Sequence, residues 1–179
     1  SHETIEERDI VVVQFVSSSA VSAYTGNFEQ NEEKLLLHLS KAALLLCSPI
    51  SDVPDVQEKI ITALHWTHVA SYSHIHQYTN GSIEEYLSPR GTRIFFQAMY
   101  IQLPRKVLGT HKIEPFCAGR TFSIGYALFS GAVFSHHILQ MPIIDKFKVF
   151  VKMDADIVFK HDVSFDIGQK MINQGCHVM

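Results

Sequence analysis

The run Ile10-Val-Val-Val-Gln-Phe-Val16 constrains this chain more than any other stretch. Charged Arg8 and Asp9 precede it, and Ser17, Ser18 and Ser19 follow it. A β-branched run this nearly unbroken reads as a strand covered on both faces, the kind found in parallel sheets. A second such run, Phe147 to Met153, comes late in the chain, and both are expected as central strands. Between them, helical spacing recurs. Asn27 is placed to cap a helix over Phe28 to Leu46, with Leu35, Leu36, Leu39, Ala43 and Leu46 recurring along it. Glu29, Glu32 and Glu33 favour its N-terminal turns. Past Pro49 and Pro54, a second helix is predicted from Asp55 to Tyr78, closed by Asn80-Gly81. Ile94 to Leu103 fits helix or strand, and Asp166 to Gln174 fits a helix with Gly175 as its cap. Strands alternating with helices predict an α/β domain, a mainly parallel sheet with flanking helices, over residues 1–179.

Composition narrows the function classes. Apolar residues at 46% and charged residues at 18% exclude disorder and coiled coil. A net charge of −3 gives no general attraction to nucleic acid or to an anionic membrane. The longest apolar run, Ala42 to Cys47, is too short for a membrane span, and no signal peptide opens the sequence. Cys47, Cys117 and Cys176 make no disulfide framework or Cys-x-x-Cys pair and read as small buried apolar residues. Four of the 11 histidines, His65, His68, His74 and His76, fall in the second predicted helix without a further local metal ligand, so packing or exposure explains them better than zinc. Asn80-Gly81-Ser82 is an N-glycosylation acceptor pattern and also a good turn. Gly-x-Ser-x-Gly, phosphate-loop and dinucleotide-binding patterns are absent.

Chemistry concentrates where the second strand ends. Phe150-Val-Lys-Met-Asp154-Ala-Asp156 puts two carboxylates at i and i+2 just past a buried strand. Such a pair can hold Mg²⁺ or Mn²⁺, which prefer oxygen ligands. A diphosphate on that cation would have its charge neutralised and leave more readily. Haloacid-dehalogenase-type phosphatases also place Asp-x-Asp after a hydrophobic strand, with the first Asp as nucleophile. That family sets the motif near the start of its catalytic domain, whereas here it comes late.

Residues 116–179 resemble nucleotide-sugar glycosyltransferases of the GT-A fold, whose Asp-x-Asp follows a hydrophobic strand in the same way. Leu128-Phe-Ser-Gly-Ala-Val-Phe-Ser-His-His-Ile-Leu-Gln140 is similar to the stretch before the motif in Golgi α-mannosyltransferases of the fungal type. Lys148 to Asp156 resembles their strand and acidic motif, and Asp162-Val-Ser-Phe-Asp166 the acidic-aromatic segment after it. Asp154-Ala155-Asp156 departs from the Glu-Pro-Asp usual there, so the resemblance implies the general fold before it implies mannose. It implies a Rossmann-related donor-binding half, a nucleotide-sugar donor, and Mn²⁺ or Mg²⁺ at Asp156, with Asp154 on ribose or metal-bound water. The loop after the first strand would meet the nucleotide base, and the acceptor would be a glycan or a protein. It implies a Golgi-lumenal protein with Asn80 as glycan acceptor. A strand expected to open at Cys176 implies a domain incomplete at its C-terminus, finished by further chain or by a partner subunit. The alternative from another class is a non-catalytic glycosyltransferase-like module.

Overall fold

The computed structural model describes residues 8–39, 41–50, 52–73, 82–99, 116–117, 120–121, 138–162 and 164–175. Strand β1 (Arg8–Phe15) leads through a short 3-10 turn (Ser18–Ala20) into α1 (Val21–His38). Then come β2 (Ala43–Pro49), α2 (Val53–Leu64), β3 (Thr67–Ser73), β4 (Ser82–Leu87) and β5 (Arg93–Met99). A two-residue pair, β6 (Phe116–Cys117) with β7 (Arg120–Thr121), stands apart from the main sheet. Strand β8 (Phe147–Lys152) and helix α3 (Ile167–Asn173) complete the order.

The main sheet has six strands in the order β3-β4-β5-β2-β1-β8. β5, β2, β1 and β8 run parallel, while β4 and β3 are antiparallel additions beyond β5. The sheet is mixed and mostly parallel, in an α/β chain. Its inner strands alternate between two cores. Ile10, Val12, Leu44, Leu46 and Phe96 pack under the helices with Tyr24, Phe28, Leu35, Val56 and Ile60. Val11, Val13, Leu45, Phe95 and Met99 face the opposite layer, built from Ile138, Met141, Ile143 and Ile144. Two covered faces explain why β1 and β2 read as continuous apolar runs.

Four expectations are corrected. The first helix spans Val21–His38, not Phe28 to Leu46, so Asn27 lies inside it. Lys41, at φ 63°, turns the chain left-handed, and Ala42 to Cys47 enters the sheet, because a run buried on both sides suits a central strand better than a one-faced helix. The second helix ends at Leu64, where His65 takes a left-handed cap at φ 54°. His68 is therefore on β3, and His74 and His76 lie outside the described residues. β1 is interior as expected, but β8 is the last strand on its side of the sheet among the described residues. Exposed Lys148 and Lys152 are the reason: an inner strand cannot hold an ammonium on a covered face, whereas an edge strand can. Ile94 to Met99 is strand, and the Asn80 acceptor and the strand expected from Cys176 lie outside the described residues.

Helix α3 forms as predicted. The Asp166 carboxylate caps it by accepting the Gln169 N–H at 2.9 Å, and Gly175, at φ 62°, follows its end. Among the described residues, no helix is long and apolar enough to cross a membrane.

Candidate functional site

From β1 the chain builds outward through β2 to β5, then returns to place β8 on β1's other side. Both segments leaving the carboxyl ends of β1 and β8 run to the helix side of the sheet: β1 leads into α1, and the chain after β8 meets α1. In open parallel sheets, ligands bind beyond the carboxyl ends of the strands. Both features singled out in the sequence, Ser17–Ser19 and Asp154–Asp156, leave the sheet there.

The β1 side is firmly tied. The Val16 N–H donates to the Cys47 carbonyl at 3.0 Å, and the buried Ser48 hydroxyl donates to the Val16 carbonyl at 2.6 Å. Ser17 and Ser19 hydroxyls lie 3.0 Å apart, and the Ser18 N–H donates to Asp52 Oδ2 at 2.9 Å. Asp52 precedes α2 yet makes no side-chain cap there, because its carboxylate serves this loop across the carboxyl end of the sheet.

On the β8 side, alternation continues past the strand. The Met153 N–H donates to the Val13 carbonyl at 3.0 Å, and Met153 and Ala155 are buried in the helix-side core. Asp154 and Asp156, between and beyond them, are exposed. The turn closes with the Ile157 N–H donating to the Asp154 carbonyl at 3.3 Å. Lys152 Nζ holds Asp154 Oδ1 at 2.5 Å.

Beyond the turn, residues 157–162 lie along one stripe of α1. Asn31 Nδ2 donates to the Ile157 carbonyl at 2.6 Å, the His38 and Phe159 rings are 6.2 Å apart, and Lys34 pairs with Asp162. His38 Nε2 is 3.5 Å from Asp162 Oδ1, too far for a well-formed hydrogen bond, and the buried nitrogen makes none. The hydrogen bond from Lys34 holds the Asp162 carboxyl below the usual carboxylate range, against the opposing effect of burial.

Among the described residues, no three His, Cys, Asp or Glu side chains converge on a metal position. Among the same described residues, the carboxylates at the end of β8 are Asp154, paired with Lys152, and Asp156. One or two carboxylates, with water and substrate phosphates completing the shell, is how Mg²⁺ is held in phosphate-handling sites. Asp154 and Asp156 fit a cation that arrives with a diphosphate, and among the described residues no all-protein cage forms around them.

No family model, curated protein or solved structure matches this chain.

Two residues of the site were not legible in the sequence. Asp52 reads as one more polar residue in a proline-marked loop. Asn31 had a signal: it continues the buried face of Tyr24, Phe28 and Leu35, where a polar side chain needs a partner.

Proposed function

We propose that the chain is the donor-binding part of a GT-A-type glycosyltransferase, with a divalent cation and a nucleotide-sugar diphosphate beyond the carboxyl ends of β1 and β8. The observation that carries this reading is that Asp154 and Asp156 emerge, both exposed, just past the carboxyl end of β8, beside the carboxyl end of β1. Asp156 is assigned as direct ligand of Mn²⁺ or Mg²⁺, and Asp154 as the partner of ribose or of metal-bound water. When bound, the cation would supply charge neutralisation to the diphosphate leaving group. The chain's own residues orient it: Met153 and Ala155 anchor the turn so that both carboxylates face outward. The Ser17–Ser19 loop, fixed by Asp52 and Cys47, forms the opposite wall and faces the nucleotide base. The acceptor would be a glycan or a protein, and further chain or a partner subunit would supply its site. The same reading carries a Golgi-lumenal placement with Asn80 glycosylated.

Two carboxylates alone hold Mn²⁺ weakly, so cation and nucleotide should bind together. The test is thermal melting of the protein with Mn²⁺, with UDP-, GDP- and other nucleotide sugars, and with both. At a ligand concentration about 100 times the dissociation constant, the native state gains about 2.7 kcal/mol. For a chain of this size that is a rise of roughly 5–10 °C. The rise should require both components and should be missing in Asp156→Asn. No response to any nucleotide sugar in the parent protein would instead favour a glycosyltransferase-like domain kept for structure.

A further inference from the structure

We infer that Asn31 is a positioning residue for the Asp154–Asp156 turn, acting through the Ile157 carbonyl. The inference rests on the reading of those carboxylates as cation ligands. Asn31 lies well inside α1, 5% exposed, and its amide reaches across 126 positions of sequence to donate to Ile157 O at 2.6 Å. Its Oδ1 is buried without a hydrogen-bond partner. A leucine there would extend the apolar face of Phe28 and Leu35 without leaving that oxygen unmatched. What asparagine adds is the bond to Ile157.

That bond falls one residue past Asp156. The turn is thereby pinned at three places: Met153 N–H on the Val13 carbonyl, Ala155 in the core, and the Ile157 carbonyl on Asn31. Asp154 and Asp156 project between the pins. Lys152 Nζ, 2.5 Å from Asp154 Oδ1, offsets part of the repulsion between the two carboxylates, but a turn closed by the 3.3 Å bond from Ile157 N–H to Asp154 O without the Asn31 pin would still spread when no cation is bound. Drawing it together again would then subtract from cation affinity. Lys34 and His38 continue the same stripe of α1, but they meet Asp162 and Phe159, beyond the turn.

The experiment uses the full chain with Asn31→Ala, Asn31→Leu and Lys34→Met. Asn31→Leu fills the apolar space should the alanine variant fail to fold. Amide hydrogen exchange is followed at residues 153–157 and in β1, and Mn²⁺ affinity is measured by electron paramagnetic resonance with UDP or GDP present. Both Asn31 variants should exchange faster at 155–157 with β1 unchanged, and should bind Mn²⁺ about 10–100-fold more weakly. Lys34→Met should leave the turn amides and the Mn²⁺ affinity as in the parent. Parent-like exchange at 155–157 in the Asn31 variants overturns the inference, as does faster exchange with full Mn²⁺ affinity. A parent protein that takes up no Mn²⁺ with either nucleotide overturns the proposed function and this inference with it. Loss confined to the Asn31 variants supports both.

Discussion

Cys47 sits inside β2 with no exposed surface, and burial pushes its thiol up to about 12. At about pH 8 an ordinary cysteine is partly ionised and alkylates readily. Cys47 should stay unmodified by iodoacetamide in the native protein and react once urea unfolds it, as peptide mass spectrometry would read. Native-state labelling of Cys47 would contradict its placement. Asp162 carries the clearest pH dependence. Its carboxyl is depressed in the folded chain, chiefly by the Lys34 hydrogen bond, so its contribution to stability is complete above the ordinary value near about 3.9 and is lost as pH falls through the lower native value. In Lys34→Met the Asp162 titration, followed by carbon-13 resonance, should move up toward the ordinary range. An unchanged midpoint would mean that Lys34 does not reach it. Glu32 marks a limit of reading at this scale. Its sequence position predicts a carboxylate that helps an N-terminal helix turn. In the fold it is mid-helix, 2% exposed, and accepts a hydrogen bond from the Ser88 hydroxyl, which also accepts the Thr92 N–H at 3.0 Å. Only the tertiary approach of the β4–β5 turn to α1 makes it a core residue.

Among elements, β1, β8 and α3 were legible because their signals are local: an unbroken apolar run, a run edged by lysines, a cap at each end. The boundary between α1 and β2 was not. Leu39, Ala43 and Leu46 keep helical spacing, yet the segment from Ala43 is claimed by neighbours on both sides, β1 and β5. Helical periodicity cannot register that competition, which is decided by a sheet assembled from distant residues. The docking of α3 supplies a sharp test. A Cβ on Gly168 would lie 2.0 Å from Ile10 Cδ1 and 3.2 Å from Leu39 Cδ2, so the helix packs closely on β1 and the Ile10 side chain must shift to admit a methyl group. Gly168→Ala should destabilise the fold by about 1–3 kcal/mol through overpacking. Set against the roughly 1 kcal/mol that alanine adds as a helix former, the net loss reaches about 2 kcal/mol. Urea denaturation reads the difference. An unchanged or higher midpoint would show that α3 does not rest on Ile10.

For the whole molecule, the sequence disclosed an α/β chain and the residues of one acidic turn, but not that the turn would lie beside the serine loop. Ser19 and Asp154 are far apart in the chain, and only the strand order joins the ends of β1 and β8. That juxtaposition is the ground of the proposal that nucleotide-sugar transfer takes place at this end of the sheet. It is tested most directly by counting Mn²⁺ bound by the full chain with electron paramagnetic resonance, with and without UDP or GDP, in the parent, Asp154→Asn and Asp156→Asn. The account predicts weak uptake without nucleotide, one tightly held Mn²⁺ per chain with the matching nucleoside diphosphate, and loss of that ion in Asp156→Asn. Equal Mn²⁺ uptake by the parent and Asp156→Asn, or none by the parent with either nucleotide, would contradict it.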